Sequence, residues 1–231
     1  MGVSIAVRTQ AVQRLRVTHG IEGPLRYASL LDMQGLWERL LGRARVPVAY
    51  TQGFNPHQRL QFGSALPVGY SSECELLDVF LAERIAPLAF AKAVRRQAPA
   101  GLDLKEVLEV PLKAKALQSM MRAARYQVRI WAKETQAEVG AALMCLVQRA
   151  SIVRQRSKRG RTVDYDLRPL IHELRFVSAH EGCHELRMDL ACGVGGSGRP
   201  EEVIDEMGLT VSRFSIHRCR LTWCKGEESE R

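Results

Sequence analysis

Two runs of this chain, residues 12–112 and 125–224, repeat one order of periodic segments: strand, helix, strand, strand, helix, strand. In the first run "RLRVTH" (Arg14–His19) sets Leu15 and Val17 against Arg14, Arg16 and Thr18, the alternation of a half-buried strand showing basic residues to solvent. Met33, Leu36, Trp37, Leu40 and Leu41 then recur at helical spacing and form one apolar stripe. Pro47 ends that helix and "VAY" opens a short strand. "ELLDVFLAE" reads as the next strand, "APLAFAKAVRRQAP" as a helix bounded by Pro87 and Pro99, and "LDLKEVLEV" (Leu102–Val110) as the closing strand.

A connector, "PLKAKALQSMMRAAR", precedes the second run. There Tyr126, Val128 and Ile130 alternate with Gln127, Arg129 and Trp131, and Val139, Ala142, Leu143, Leu146 and Val147 follow at helical spacing. "SIVRQRSKRGRTVDYDLRPLIHELRFVS" gives a strand, a basic turn, an insertion around 161–170 and a strand. "CHELRMDLAC", "RPEEVIDEMGL" and "SRFSIHRCRLTW" complete the order as strand, helix and strand. A β-α-β-β-α-β order closes as an antiparallel sheet with both helices on one face. The expected fold class is therefore α+β, a tandem ferredoxin-like architecture in two halves, with a charged tail at 225–231.

The formal net charge of +9 points to a polyanionic partner, most simply RNA, although a basic surface can also serve solubility alone. No apolar run reaches the length of a membrane span and no secretory leader is visible, so a cytoplasmic protein without membrane contact is expected. The six cysteines contain no CxxC pair, which disfavours structural zinc, and most are expected to be buried reduced thiols. His217, Cys219, Cys183 and His184 are spaced too loosely to read as a metal site, so neither metal nor cofactor is expected.

The first half, from "GPLRYASLLDMQGLW" through "YTQGFNPHQRLQFGSALPVGYSSECE", resembles a radical-SAM-linked family of uncharacterised proteins. The resemblance is carried by Arg26-Tyr27, Ser29, Asp32, Pro47, Tyr50 to His57, Leu66-Pro67-Val68-Gly69, Ser72 and Glu75, and in the second half by the basic strand and its Asp-Leu-Arg-Pro turn. It covers roughly residues 12 to 224 and implies a radical SAM protein as partner. This chain lacks the CxxxCxxC triplet of such an enzyme's cluster, and Leu30 stands where the family usually has His.

Gly53 and Asn55-Pro56 are turn chemistry, so the loop turns sharply and presents Gln52, Asn55 and His57. Phe54 is either a stacking platform for a base or a plug in the core, the plug being the commoner use of a loop aromatic. Tyr27, Tyr50 and Asp32 complete the expected substrate-binding set, with helix capping the default role for Ser29 or Asp32. Gly63 and Gly69 would let a ligand approach the backbone, with Ser71, Ser72 and Glu75 as polar ends. His57 is the best catalytic candidate if the chain is an enzyme. Arg154, Arg156, Lys158, Arg159 and Arg161, with Arg168 beyond, form a comb suited to phosphates or else a solvated charge run; Arg168 can instead pair with Asp164 or Asp166. The glycine-rich "CGVGGSGRPEE" lacks the lysine of a P-loop and reads as a flexible connection.

No nucleophile–base pair or paired carboxylates emerge. The expected function is a non-catalytic RNA-binding or substrate-presenting companion of a radical SAM enzyme. The alternatives are a metal-independent endoribonuclease resembling the CRISPR repeat-processing enzymes, and a small-molecule carrier or protein adaptor.

Overall fold

The computed structural model describes residues 10–158 and 160–224, with the side chains of Lys158 and Arg161 also outside the description. The expected tail at 225–231 and Arg159 of the comb therefore lie outside the described residues. The chain divides into two compact units, one running to Met120 and the other spanning Met121–Cys224. Both are mixed α+β with antiparallel sheets.

The first unit runs β1 (Gln13–Ile21), α1 (Leu30–Arg43), β2 (Leu60–Phe62), β3 (Ser71–Leu81), α2 (Pro87–Arg95), β4 (Leu102–Val110) and the short α3 (Leu117–Met120). Its strands lie in the order β4-β1-β3-β2, every pair antiparallel. Leu15, Val17, Leu77, Val79 and Leu81 point from β1 and β3 into one core with Trp37, Leu40 and Leu41 of α1 and Phe90 and Val94 of α2. The apolar stripes read from the sequence thus face the sheet, and burying each such side chain contributes roughly 1.5–3 kcal/mol.

Two expectations for this unit change. "VAY" makes only the isolated bridges Val48↔Leu81 and Tyr50↔Gln58, and the second strand is Leu60–Phe62. The Thr51–His57 loop therefore lies between α1 and β2 rather than between the second and third strands. Arg14 and Arg16 do not face solvent either. Asp78, fully buried on β3, receives Arg14 Nε and Nη2 at 2.8 and 2.5 Å and Arg16 Nε and Nη2 at 2.9 and 3.0 Å. The connector completes the set, with the carbonyls of Ala114 and Lys115 accepting from Arg14. A buried guanidinium has to be paired and hydrogen-bonded, and here both conditions are met.

The second unit runs β5 (Met121–Ala132), α4 (Gln136–Gln148), β6 (Val153–Lys158), β7 (Arg161–Asp166), β8 (Ile171–His180), β9 (Cys183–Ala191), α5 (Pro200–Glu206) and β10 (Val211–Trp223). Its main strands lie in the order β10-β5-β9-β8, again antiparallel throughout. Among the described residues, strands β6 and β7 pair only with each other, from Val153↔Asp166 to Lys158↔Arg161. The basic segment is thus a separate hairpin, and the strand it was expected to supply to the sheet is β8. Val128, Ile130, Leu186, Met188, Leu190 and Ile216 are buried with Val139, Leu143 and Leu146 of α4 and Val203 and Ile204 of α5. No described helix is long and apolar enough to cross a membrane. None of the six cysteines is in a disulfide among the described residues, and Cys192 is the one that is buried, fewer than the sequence reading expected.

Candidate functional site

Residues Thr51 to His57 stand in solvent along their whole length. Their base is tied. Thr51 N donates to His57 O at 2.8 Å, His57 N donates to Thr51 Oγ1 at 3.0 Å, and Arg59 N donates to Ala49 O at 2.7 Å. Gln58 Nε2 anchors the strand that follows to the Glu38 carbonyl of α1 at 3.1 Å. Gly53 takes φ 131°, a value that leaves glycine the natural residue at the turn. Phe54 is fully exposed and plugs no core. Gln52, Asn55 and His57 are exposed as well, and among the described residues the His57 ring has no hydrogen-bond partner.

The rest of the expected substrate-binding set divides. Tyr50 is half-buried at the bridge to Gln58. Asp32 is a capping residue: its Oδ2 accepts from Ser29 N at 3.0 Å and Ser29 Oγ at 2.6 Å, while Ser29 Oγ accepts from Asp32 N at 3.2 Å. Those bonds from Ser29 hold the Asp32 carboxyl below its usual range. Tyr27 is mostly exposed, with the Arg26 guanidinium 4.8 Å from its ring centroid.

The polar ends expected at 71–75 belong to β3. Ser72 Oγ donates to Glu75 Oε1 at 2.6 Å, and both residues are buried. Glu75 lines a small cleft with His19, its register partner on β1, and with Arg26, Leu30 and Leu66. His19 is 1% exposed, packs edge-on against Trp37 at 5.0 Å, and is pushed down to a pKa of about 3 by burial. Sequence reasoning passed over this residue, because a lone histidine in an alternating strand carries no signal beyond its position.

In the second unit Arg154 and Arg156 of the comb are bound inward. Arg154 Nη1 donates to Glu206 Oε1 at 2.8 Å and Nη2 to Asp205 Oδ2 at 3.0 Å. Arg156 Nε and Nη2 donate to Glu202 Oε1 and Oε2 at 2.9 and 2.5 Å, and Nη2 also reaches Ser197 O at 2.8 Å. The Arg156 guanidinium lies 4.1 Å from the Tyr165 ring centroid. Burial would lower Arg156, but the bonds to Glu202 and its charge outweigh that and raise it. Arg168 holds the turn after the hairpin, donating to the carbonyls of Val147 and Ile171 at 3.1 Å each. Its backbone N–H, not its guanidinium, meets Asp166, whose Oδ1 also receives Ile152 N at 2.8 Å.

The four residues weighed as metal ligands do not converge as a set, although the ligand atoms of His217 and Cys219 lie within 4.8 Å of each other. Cys183 and His184 lie on β9, His217 and Cys219 on β10, with β5 between the two strands. The His184 ring is buried, with Nε2 2.9 Å from the Glu134 carbonyl oxygen.

A family model described as "Uncharacterized protein conserved in bacteria (DUF2344)" matches residues 14–200. No curated protein matches the chain. Among solved structures it is similar to a chain of a Cbf5-Nop10-Gar1 complex, with 9% identity, a TM-score of 0.49, and coverage of 96% of this chain and 51% of the other. A chain of an H/ACA RNP bound to a substrate RNA containing 2'-deoxyuridine gives 10% identity, a TM-score of 0.46 and coverage of 95% and 50%. A chain of the archaeal box H/ACA sRNP Nop10-Cbf5 complex gives 9%, 0.45, 95% and 50%. This chain spans about half the length of each.

Proposed function

The chain belongs to this family of uncharacterised proteins conserved in bacteria, and from that premise we propose that it is a non-catalytic RNA-binding companion of a radical SAM enzyme, with Thr51–His57 as its contact element. The observation that carries the reading is Phe54, an aromatic ring wholly in solvent on a loop whose base is tied by cross-loop hydrogen bonds. Water gains nothing from such a ring, whereas a base can stack on it in a sequence-tolerant way. Gln52, Asn55 and His57 supply donors and acceptors beside it, and the excess of nine positive charges favours a polyanion.

The radical SAM partner rests on the sequence resemblance, and a cytoplasmic setting follows from an RNA-handling role. The strand orders β4-β1-β3-β2 and β10-β5-β9-β8 support a tandem ferredoxin-like architecture, since each is one β-α-β-β-α-β unit with its first and third strands central.

The test is binding of labelled single-stranded RNA to the full chain across a salt series. Affinity is expected to fall with salt. Phe54→Ala is expected to weaken binding roughly tenfold or more without changing the salt slope, because stacking contributes about 1–3 kcal/mol per base and touches no phosphate. RNA that is cut rather than held would replace this reading with the endoribonuclease one, and His57→Ala would then test the residue. No binding at the lowest salt overturns the RNA reading.

A further inference from the structure

A groove of about 570 Å³ in the second unit runs between the β6–β7 hairpin and the glycine-rich loop before α5. Its volume falls within the roughly 300–1,000 Å³ of small-ligand sites. Three motifs of the sequence meet along it: Arg156 of the basic strand, Pro169 and Leu170 at the turn, and Gly196 and Arg199 of the loop. The loop is seated firmly. Gly196 has φ 123°, a backbone conformation that favours glycine, and its backbone lies against the Leu170 side chain.

Arg156 is unsuited to gripping phosphate. Its Nε and Nη2 are committed to Glu202 and Ser197, its charge is compensated, and one face is covered by Tyr165. Arg156 nonetheless lines the groove beside Tyr165 with part of its side chain exposed. A guanidinium whose plane is fixed in this way is a platform for a flat ring. Arg199 differs: it is exposed and has no carboxylate at salt-bridge distance among the described residues. Asp166 also lines the groove, and its negative charge disfavours an anion at its own end.

We propose that this groove is a nucleotide site, with the base stacked on the Arg156–Tyr165 pair and the phosphate held by Arg199. The shared chemistry is a nucleoside monophosphate, whether free or at the 5′ end of an RNA. The site lies in a different unit from the Thr51–His57 loop and does not depend on it.

The experiment is equilibrium binding of AMP and UMP to the full chain, with adenosine, uridine and ribose 5-phosphate as partial probes. A monophosphate is expected to bind roughly tenfold or more tightly than its nucleoside or ribose 5-phosphate, and Arg199→Gln to reduce it to the nucleoside's level. Val163→Trp places a large side chain at a half-exposed groove position and is expected to abolish binding with the melting temperature retained. A 5′-phosphorylated trinucleotide that displaces AMP supports the site as a seat for RNA ends, and one that does not supports it as a seat for free nucleotide. Ribose 5-phosphate binding as well as AMP overturns the stacking role, and no saturable nucleotide binding overturns the site. RNA binding that survives Val163→Trp and fails in Phe54→Ala would leave the loop reading standing while the AMP results decide this one.

Discussion

Arg156 and Glu202 are joined by two hydrogen bonds, 2.9 and 2.5 Å long, that clamp the basic hairpin onto α5. Burial alone would raise the Glu202 carboxyl, but the bonds from Arg156 and the arginine charges outweigh it and hold the group below its usual range. Arg154 makes a second clamp through Asp205 and Glu206. Glu202→Gln is therefore expected to cost about 1.5–3 kcal/mol, the size of hydrogen bonds to a charged partner. Urea unfolding measures it, and an unchanged midpoint would mean that the clamp is not structural.

His19 predicts a pH dependence. Its folded pKa of about 3 lies below the ordinary 6.5, so the unfolded chain takes up the proton first as pH falls. Its contribution is unchanged above about pH 6.5 and turns against folding from there down towards pH 3, by roughly 1.4 kcal/mol per pH unit. Between pH 6 and 5, before most carboxylates titrate, the urea midpoint should drop. His19→Phe, which keeps a ring beside Trp37, should flatten that drop; an equal slope in the variant would place the pH dependence elsewhere.

The order of elements was legible because Leu15 and Val17, or Leu40 and Leu41, repeat at the period of their element and face one core. Partnership was not. Val153 to Lys158 alternates as a strand should, but alternation says nothing of which strand lies alongside, and among the described residues this one pairs with Arg161–Asp166 alone. Leu60–Phe62 is too short to show any period, so the preceding "VAY" took its place in the reading. For the sites, local chemistry was readable and distant chemistry was not. Gly53 and Pro56 announced the turn and Ser29 with Asp32 announced the cap. The acids that bind Arg154 and Arg156 come from some fifty residues downstream, and Asp78 lies sixty-four residues beyond Arg14.

Asp78 binds two arginines from a position with no solvent exposure. Asp78→Ala would leave two guanidiniums facing one another on a buried sheet face, and a loss of about 3–5 kcal/mol is expected. Thermal unfolding of the full chain measures it. A loss below about 1 kcal/mol would show that water reaches both arginines and replaces the carboxylate.

The glycine-rich loop before α5 read as a flexible connection, and its backbone instead makes position-specific demands. Gly193 has φ 139°, and a Cβ there would sit 2.3 Å from the Met121 carbonyl oxygen; Gly196 combines φ 123° with the contact to Leu170. Gly195, between them, has an ordinary φ and open space where a Cβ would point. Alanine at 193 or 196 should cost about 1–3 kcal/mol in strain, while Gly195→Ala should be neutral or add about 0.4–1 kcal/mol by restricting the unfolded chain. Three single variants compared by urea unfolding separate a built loop from a slack one. Equal effects at all three positions would mean that the loop has no fixed shape, and the groove beside it would lose its wall.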